Sequence, residues 1–295
     1  MISKIQPGIL DAIPRQARYL SFSVKPDANP RAGLVALGKL AVMHDVVVGV
    51  GQSLLLSIKK NVDGLHTFPA HAAPGIEVPS TPFALWCWLR GVDRGELVHR
   101  TRMIKDAVGD AYQLEQVIDA FQYGAGLDLS GYVDGTENPK DDAAIEAAIV
   151  HGQGAGMDGS SFVAVQQWRH DLTHLQAMSP REQDHMFGRS KSDNAELVDV
   201  PPSAHVKRTA QESFNPAAFL VRRSMPWADA EQAGLVFVAF GKNLDAFEVL
   251  LRRMVGADDG ITDALFRFTR PVTGSYFWCP PVKNERLDLS AVGII

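Results

Sequence analysis

The stretch "LVFVAFGKNLDAFEVLLRRMVG", residues 235–256, decides the fold because it places a strand directly before a helix. Its first seven residues are apolar and rich in valine and phenylalanine, which is typical of a buried strand. In the remainder, apolar side chains recur on one helical face: Leu244, Phe247, Leu250, Leu251 and Met254. Gly256 follows where a glycine that ends a helix belongs. The sequence therefore predicts a strand over 235–241 and a helix over 244–255.

The surrounding segments extend this pair into a regular order. Strands are predicted at 161–168, 218–225 and 275–279. The segment "SPREQDHMFG" predicts a second helix, because Ser179 can cap it, Pro180 suits its first position and Glu182 completes a capping box. The second half of the chain therefore runs strand, helix, strand, strand, helix, strand.

The first half repeats that order. Its predicted strands and helices are 17–24, 30–43 (helix, with Asn29 as N-cap), 46–51, 83–91, 94–108 (helix) and 114–122, with a long loop over 61–81. The doubled β-α-β-β-α-β order predicts an α+β fold of two ferredoxin-like units with antiparallel sheets. We expect residues 1–130 to form the first unit. Residues 131–295 should hold the connection, including a helix near 140–150, and the second unit.

Composition restricts the class of protein. The chain has 295 residues, 46% of them hydrophobic and 21% charged, as in a folded domain. A net charge of −5 argues against a nucleic-acid partner. The cysteines, Cys87 and Cys279, lie in apolar runs and are expected to be reduced core residues. The N-terminus lacks the features of a secretory signal, and no apolar run could cross a membrane, so we expect a cytoplasmic protein.

Three polar positions are candidates for chemistry. Asp134 stands between glycines in "GYVDGTENPKDD" (131–142), which is either an ordinary turn or a loop that carries a carboxylate to a ligand. His205 lies in a polar loop where nothing structural requires an imidazole. Arg222 and Arg223 are adjacent in a predicted strand, so one should face solvent and the other the interior, unless both are partly wet at a sheet edge. A buried guanidinium needs an anion or a polar ligand.

The histidines of "HDLTH", His170 and His174, form a weaker candidate. They could chelate a metal if the segment is helical, because residues four apart share one helix face. Packing or surface exposure is the alternative, and no third ligand stands at a recognisable spacing.

Five motifs together resemble the dye-decolorising peroxidases, haem enzymes built from two ferredoxin-like units. They are "GYVDGTENP" (131–139), "HMFGRSK" (185–191), "AHVKRT" (204–209), "LVRRSMP" (220–226) and "TDALFRFTRPVTGSYFWCP" (262–280). The first resembles the Gly-x-x-Asp-Gly signature of the family, in the extended form of its compact bacterial class B branch. The resemblance implies one haem b per chain, bound in the C-terminal half.

The resemblance also implies roles for individual residues. His205 matches the proximal ligand of the haem iron, and Asp263 the carboxylate that accepts the other N–H of that histidine. Asp134 matches the distal acid–base residue and Arg222 the distal arginine, with Arg222 expected to matter more. Ser224 occupies a distal-pocket position that is asparagine in some members. Arg189 resembles a basic residue near the haem propionates.

The implied function is reduction of hydrogen peroxide with one-electron oxidation of dyes and phenols. The alternative is a protein for haem binding, haem delivery or iron release in which peroxidase activity is incidental. Aromatic residues that could relay electrons, or simply fill the core, are Trp86, Trp88, Trp168, Trp227, Trp278 and the tyrosines. A homo-oligomer is expected. The apolar tail 285–295 is expected to be exposed, where it either docks on a neighbouring subunit or directs the chain into a protein shell.

Overall fold

The computed structural model describes residues 5–43 and 45–294. The helices are α1 Pro30–Met43, α2 Gln52–Ser57, α3 Arg94–Val108, α4 Asp141–Ala148, α5 Leu172–Ala177, α6 Pro180–Phe187, α7 His205–Arg208 and α8 Asp245–Met254. The strands are β1 Gln16–Val24, β2 Val46–Val50, β3 His71–Ala73, β4 Ile76–Val78, β5 Leu85–Gly91, β6 Tyr112–Phe121, β7 Ser161–His170, β8 Val221–Arg222, β9 Met225–Ala228, β10 Ala233–Gly241, β11 Thr269–Pro271, β12 Ser275–Cys279, β13 Val282–Lys283 and β14 Arg286–Leu287.

Ten of these strands form one sheet in the order β11-β7-β12-β2-β5-β1-β6-β9-β10-β8, and the pairs are antiparallel. Because β7 also pairs with β10, the sheet closes into a barrel-like ring. Within this sheet, strands of the two halves pair with each other at two junctions. Trp278 of β12 lies opposite Val50 of β2, and Ala120 of β6 lies opposite Trp227 of β9. The α+β class and the doubled ferredoxin-like fold are confirmed. The division at residue 130 stays a prediction, since both halves share this sheet.

The core has two main parts because central strands such as β2 and β12 bury both of their faces. Large aromatic side chains fill the inside of the ring, among them Tyr19, Trp86, Trp88, Phe240 and Phe277. A second cluster lies between the outside of the sheet and the helices, and it includes the apolar face of α8 that the sequence predicts. The helix-covered side of the C-terminal strands is where a cavity opens.

Most predicted elements are present, and the capping box of α6 forms as expected, with Glu182 N donating to Ser179 Oγ and Ser179 N to Glu182 Oε2. Two predictions are wrong. The segment 61–81 contains the β3–β4 hairpin and is not one continuous loop. The strand predicted at 218–225 is interrupted, because the Ser224 hydroxyl and not a backbone carbonyl accepts the N–H of Val238.

The tail also differs from the expectation. Leu287, Leu289, Val292 and Ile294 are at most 8% exposed, because the tail folds back onto the helix-side core of its own chain. The cysteines are buried and unpaired as expected, and burial raises the pKa of both thiols. Across the described residues, no helix combines the length and the hydropathy needed to cross a bilayer. Residues 1–4 of the N-terminus and Ile295 of the tail lie outside the described residues.

Candidate active site

A cavity of about 280 Å³ opens between the C-terminal part of the sheet and the helices packed on it. The sheet contributes one wall, formed by cavity-facing side chains of β7, β8, β10 and β11: Gln166, Trp168, His170, Arg222, Leu235, Phe237 and Thr269. Helices α7 and α8 contribute another wall: His205, Val206, Phe247, Leu250, Leu251 and Met254. A mostly apolar hollow with a few polar groups is the usual form of a cofactor or ligand site.

His205 lies on the helical wall in a defined tautomer. Its Nδ1 is 2.7 Å from Oδ2 of Asp263, whose side chain is fully buried. The other carboxylate oxygen of Asp263 accepts the N–H of Leu265 and so caps the 3-10 helix that follows. An ionised carboxylate can only accept hydrogen bonds, so Nδ1 must carry a proton. The lone pair of Nε2 is therefore free on a residue that lines the cavity.

Arg222 lines the sheet wall, on the cavity-facing side of β8 opposite Ala239 of β10. Its Nε is buried without a partner, and no side-chain hydrogen bond or ion pair of Arg222 is found within residues 5–43 and 45–294. An arginine side chain only donates hydrogen bonds, so its remaining N–H groups can serve a polar group that enters the cavity. Of the two alternatives for the arginines, the sheet-edge one holds, since β8 ends the strand order and both Arg222 and Arg223 are partly exposed. Arg223 is partly buried as well, and it donates to the backbone oxygens of Leu10 and Arg222.

Asp134 reaches the same cavity from the loop between β6 and α4. Its Oδ1 accepts the N–H of Gly135 at 2.7 Å, and its own N–H donates to the carbonyl of Gly126 at 3.1 Å. The ordinary turn and the ligand-facing carboxylate were alternatives in the sequence. The structure combines them, since the turn presents the carboxylate to the cavity.

Asn138 fastens this loop to the strand that carries Arg222, a role that no local sequence pattern indicates. Its Nδ2 donates to the carbonyl of Arg222 at 2.9 Å, and its Oδ1 accepts the N–H of Arg222 at 2.8 Å. Gly135 makes room for this amide. It has a φ of +74°, and a Cβ there would lie 2.9 Å from Asn138 Nδ2. The clamp therefore fixes the position of Asp134 relative to Arg222.

The two remaining predicted residues are Arg189, which reaches the cavity, and Ser224, which does not. Arg189 lines the cavity, where its guanidinium contacts the carboxylates of Glu137 and Glu196 and donates to the carbonyl of Asn194 at 3.0 Å. Ser224 is buried but is not among the cavity-lining residues of the described chain. Its hydroxyl oxygen instead accepts the N–H of Val238 in the sheet.

His170 and His174 do not share a helix, so the condition for a metal-chelating pair is not met and the alternative, packing or surface exposure, holds. His170 ends β7 and lines the cavity, whereas His174 lies exposed on α5. His170 is instead paired with Asp128 and Thr269. Burial opposes ionisation of Asp128, but the hydrogen bonds from His170 and Ser130 outweigh it and lower the pKa of Asp128. Asp128 gave no recognisable signal in the sequence.

The tryptophans are core residues, and one of them also faces the cavity. Trp168 lines the cavity at 7% exposure, and the other four are at most 5% exposed. Trp227 donates its indole N–H to the carbonyl of Trp168. A relay from the cavity to the surface would therefore need residues beyond the tryptophans.

The residues of this cavity fit a haem. An imidazole with a free Nε2 is a common axial ligand of haem iron, and a carboxylate behind it fixes the tautomer. Arg222 adds hydrogen-bond donors on the sheet side, with no side-chain partner among the described residues. Leu235, Phe237, Leu250, Leu251 and Met254 supply apolar surface suited to a porphyrin.

Comparison with known proteins agrees with this fit. Residues 125–284 match the family model described as "Dyp-type peroxidase, C-terminal". The dye-decolorizing peroxidase of Mycobacterium tuberculosis is 30% identical over 224 residues, which are 74% of this chain and 67% of the relative. That of Mycolicibacterium paratuberculosis is 30% identical over 74% of this chain and 63% of the relative. The chain thus spans about two thirds of the length of the curated relatives that it matches.

Solved structures are similar over nearly the whole chain. A putative Dyp-type peroxidase from Shewanella oneidensis superposes with a TM-score of 0.90 at 26% identity, covering 99% of this chain and 98% of the other. A DypB variant from Rhodococcus jostii RHA1 in complex with heme gives a TM-score of 0.85 at 27% identity, covering 93% and 95%. A dye-decolorizing protein from V. cholerae gives 0.84 at 28% identity, covering 92% and 95%.

Proposed function

Because the chain belongs to the dye-decolorising peroxidase family, we propose that it reduces hydrogen peroxide, with His205 as proximal haem ligand and Asp134 and Arg222 as the distal pair. Membership of the family supports haem as the cofactor and peroxidase as the class of enzyme. The roles of individual residues and the identity of the reducing substrates are the proposal. One observation carries it: a histidine with a free Nε2, an unpartnered arginine and a loop carboxylate all line one cavity.

On the helical wall, His205 would bind the haem iron through Nε2. Asp263 keeps the proton on Nδ1 and holds the ring in place, which increases the electron donation of the imidazole. Asp263 is itself fixed, because its second oxygen caps the following 3-10 helix. Arg189, which lines the cavity and contacts Glu137 and Glu196, would turn one of its donors to a haem propionate.

Bound haem would supply the iron at which peroxide is reduced and from which oxidising equivalents pass to donors. Asp134 would take the proton from the peroxide oxygen nearer the iron and return it to the departing oxygen. Its Oδ1 accepts one bond from the N–H of Gly135, and Oδ2 has no partner in the described part of the chain. A positioned carboxylate in this role contributes about 10²–10⁴-fold to a rate.

Arg222 would donate hydrogen bonds to the departing oxygen as negative charge grows there. The guanidinium has N–H donors in a rigid planar arrangement and no acceptor, so its role is to donate hydrogen bonds and not to transfer a proton. Fixed donors of this kind are typically worth about 10²–10³-fold. Since no protein acceptor competes for its side chain within the described residues, these donors are directed to the ligand.

We further propose phenols and anthraquinone or azo dyes as the reducing substrates. Two observations support this. The relatives are named dye-decolorizing peroxidases, and the aromatic side chains Phe187, Phe237 and Trp168 line the cavity. The homo-oligomer, the cytoplasmic location and a partner shell protein stay predictions. Burial of the tail on its own chain leaves few of its apolar side chains free for a partner.

Stopped-flow mixing of the haem-loaded protein with hydrogen peroxide tests the proposal. We expect a fast shift of the haem absorption band. Asp134→Ala should slow this shift by about a hundredfold or more. Arg222→Ala, as a separate single variant, should slow it more than Asp134→Ala does. His205→Ala should lose or loosen haem, measured as pyridine haemochrome.

Exposed residues of the same type supply matched controls, namely His174→Ala for the ligand and Asp142→Ala for the carboxylate. Both should behave as the unmodified protein. A slow reaction in the unmodified protein, with haem passing readily to an acceptor apoprotein, would instead favour haem delivery. If Asp134→Ala abolished the reaction while Arg222→Ala did nothing, the ranking of the two residues would be wrong.

A further inference from the structure

A buried hydrogen-bond network lies beside the proposed catalytic residues and involves none of them. His170 of β7 contacts Asp128 of the β6–α4 loop through Nε2 and Thr269 of β11 through Nδ1, at 2.9 and 2.7 Å. The side chain of His170 is 4% exposed and that of Asp128 12%. All three residues line the cavity. Burying an imidazole without partners would cost free energy, and hydrogen bonds at both ring nitrogens offset that cost and hold the ring in one orientation.

The proton arrangement shows which contact is fixed. Asp128 Oδ1 can only accept, so Nε2 of His170 must carry a proton toward it. The direction of the hydrogen bond at Nδ1 is not fixed in the same way. The hydroxyl of Thr269 can donate either to Nδ1 or to the carbonyl of Arg169 at 3.2 Å. The His170–Asp128 bond therefore persists whether the imidazole is neutral or charged.

Asp128 in turn organises the loop that carries Asp134. Its Oδ2 accepts the N–H of Ser130 at 2.9 Å, and its carbonyl accepts the N–H of Gly131 at 2.8 Å. Its own N–H donates to the carbonyl of Tyr132 at 2.9 Å. These bonds fold residues 128–132 around one side chain, two residues before Asp134. The side chain of His170 connects that loop to the rigid sheet.

We propose that His170 is a positioning residue for Asp134: through Asp128 it fixes the loop so that the Asp134 carboxylate stays at the cavity. This inference rests on the proposed function, in which Asp134 is the distal proton acceptor. Asn138 fastens the later part of the loop to Arg222, and the His170–Asp128 pair fastens the earlier part to β7. A displacement of about 1 Å in such a group can cost about a hundredfold in rate.

The competing explanation is packing, because the imidazole lies 5.2 Å from the ring of Phe268. Two variants separate the explanations. His170→Gln places an amide N–H near the position of Nε2 but loses the ring. His170→Phe keeps a ring of similar shape but donates nothing to Asp128. Positioning predicts that Gln preserves function better than Phe, and packing predicts the reverse. Thr269→Val is a milder third variant that removes the hydroxyl contacts with Nδ1 and with the carbonyl of Arg169 but leaves the donor to Asp128 in place.

The first measurement is hydrogen–deuterium exchange of the haem-loaded and haem-free proteins, and it needs no activity. In His170→Phe, amides of residues 128–134 should exchange about tenfold faster or more, because the carboxylate of Asp128 has lost its buried donor. His170→Gln should exchange more slowly than His170→Phe. Exposed His174→Gln is the matched control and should match the unmodified protein.

The second measurement is a double-mutant cycle on the peroxide reaction. His170→Phe should slow it by about tenfold to a hundredfold, and should have little further effect in an Asp134→Ala background. Unchanged exchange in 128–134, additive rate effects, or better retention by Phe than by Gln would each overturn the proposal. If Asp134→Ala alone left the rate unchanged, the proposed function would fail, while the exchange data would still decide whether His170 anchors the loop.

Discussion

Asp263 acts on the site without lining the cavity. Its carboxylate receives the N–H of His205 at 2.7 Å in a fully buried position, where a hydrogen bond to a charged group is strong. The same carboxylate caps the 3-10 helix Ala264–Arg267. Orientation of the imidazole and its electron donation therefore depend on one side chain.

Asp263→Asn should leave haem bound but raise the midpoint potential of the iron, because an amide accepts the imidazole N–H less strongly than a carboxylate. Spectroelectrochemical titration measures this change. Asp258→Asn removes a surface carboxylate that pairs with Arg252 and is the control. An unchanged potential in Asp263→Asn would show that the carboxylate contributes only to folding.

Asn138 permits a second test at the residue scale. Asn138→Asp keeps an acceptor for the N–H of Arg222 but loses the donor and places a carboxylate against the carbonyl of Arg222. We expect stability to fall by about 1–3 kcal/mol and the peroxide reaction to slow by about tenfold or more, with haem content unchanged. Exposed Asn61→Asp is the control. Normal peroxide kinetics in Asn138→Asp would exclude the clamp from function.

The sequence could indicate candidate site residues only where a recognisable motif surrounds them, as it does for His205, Asp134 and Arg222. Asn138 and His170 could not be assigned, because their partners lie 84 and 42 positions away and no local pattern encodes such contacts. Ser224 illustrates the opposite case. Its motif suggested a pocket position, but its hydroxyl binds a neighbouring strand.

At the scale of elements, local signals predicted the helices well. The ends of α6 follow from the capping box at Ser179 and from Gly188, which adopts a φ of +85°. Strand pairing was harder, since only Arg223 and Ser224 separate β8 from β9 and no turn residue marks a break between them. Their separation depends on a side chain that competes with the ladder, which periodicity does not reveal.

The pair β1–β6 carries an ion cluster that joins it to α3. Asp119 of β6 accepts from Nε of Arg18, its register partner on β1, at 2.6 Å and from Arg94 of α3 at 2.9 Å. Partial burial opposes ionisation of Asp119, but the two arginines outweigh it and lower the pKa of Asp119. The cluster should therefore stabilise the fold wherever Asp119 is charged.

Asp119→Asn should lower the free energy of unfolding by about 1 kcal/mol at pH 7, since the cluster is only partly shielded from water. The folded pKa lies below the unfolded value of about 3.9, so this stabilisation is complete above that value and is lost as the pH falls through the folded pKa. Urea unfolding at pH 7 and at acid pH measures the difference. Exposed Asp110→Asn should change stability little at either pH. A difference that persisted unchanged in acid would contradict the electrostatic cause.

At the scale of the molecule, the closed sheet joins the two ferredoxin-like units. The β12–β2 junction is close-packed, because a Cβ on Gly49 would lie 2.6 Å from Cβ of Phe277. Inside the ring, Trp86 of β5 stacks between Tyr19 of β1 and Phe277 of β12, at 6.0 and 5.9 Å. The doubled order of elements could be predicted from periodicity. Closure could not, because it depends on contacts between the halves.

Trp86→Ala should therefore destabilise the cavity-bearing half as much as the half in which it lies. Removal of a fully buried tryptophan costs about 3–5 kcal/mol, and the shared core should distribute that loss over both halves. Hydrogen exchange in urea measures it, with β1 and β7 expected to lose protection together in one unfolding transition. Trp86→Phe keeps a stacking ring and should lose less. If β7 kept its protection while β1 lost it, the two units would fold independently, and the boundary at residue 130 would separate true domains.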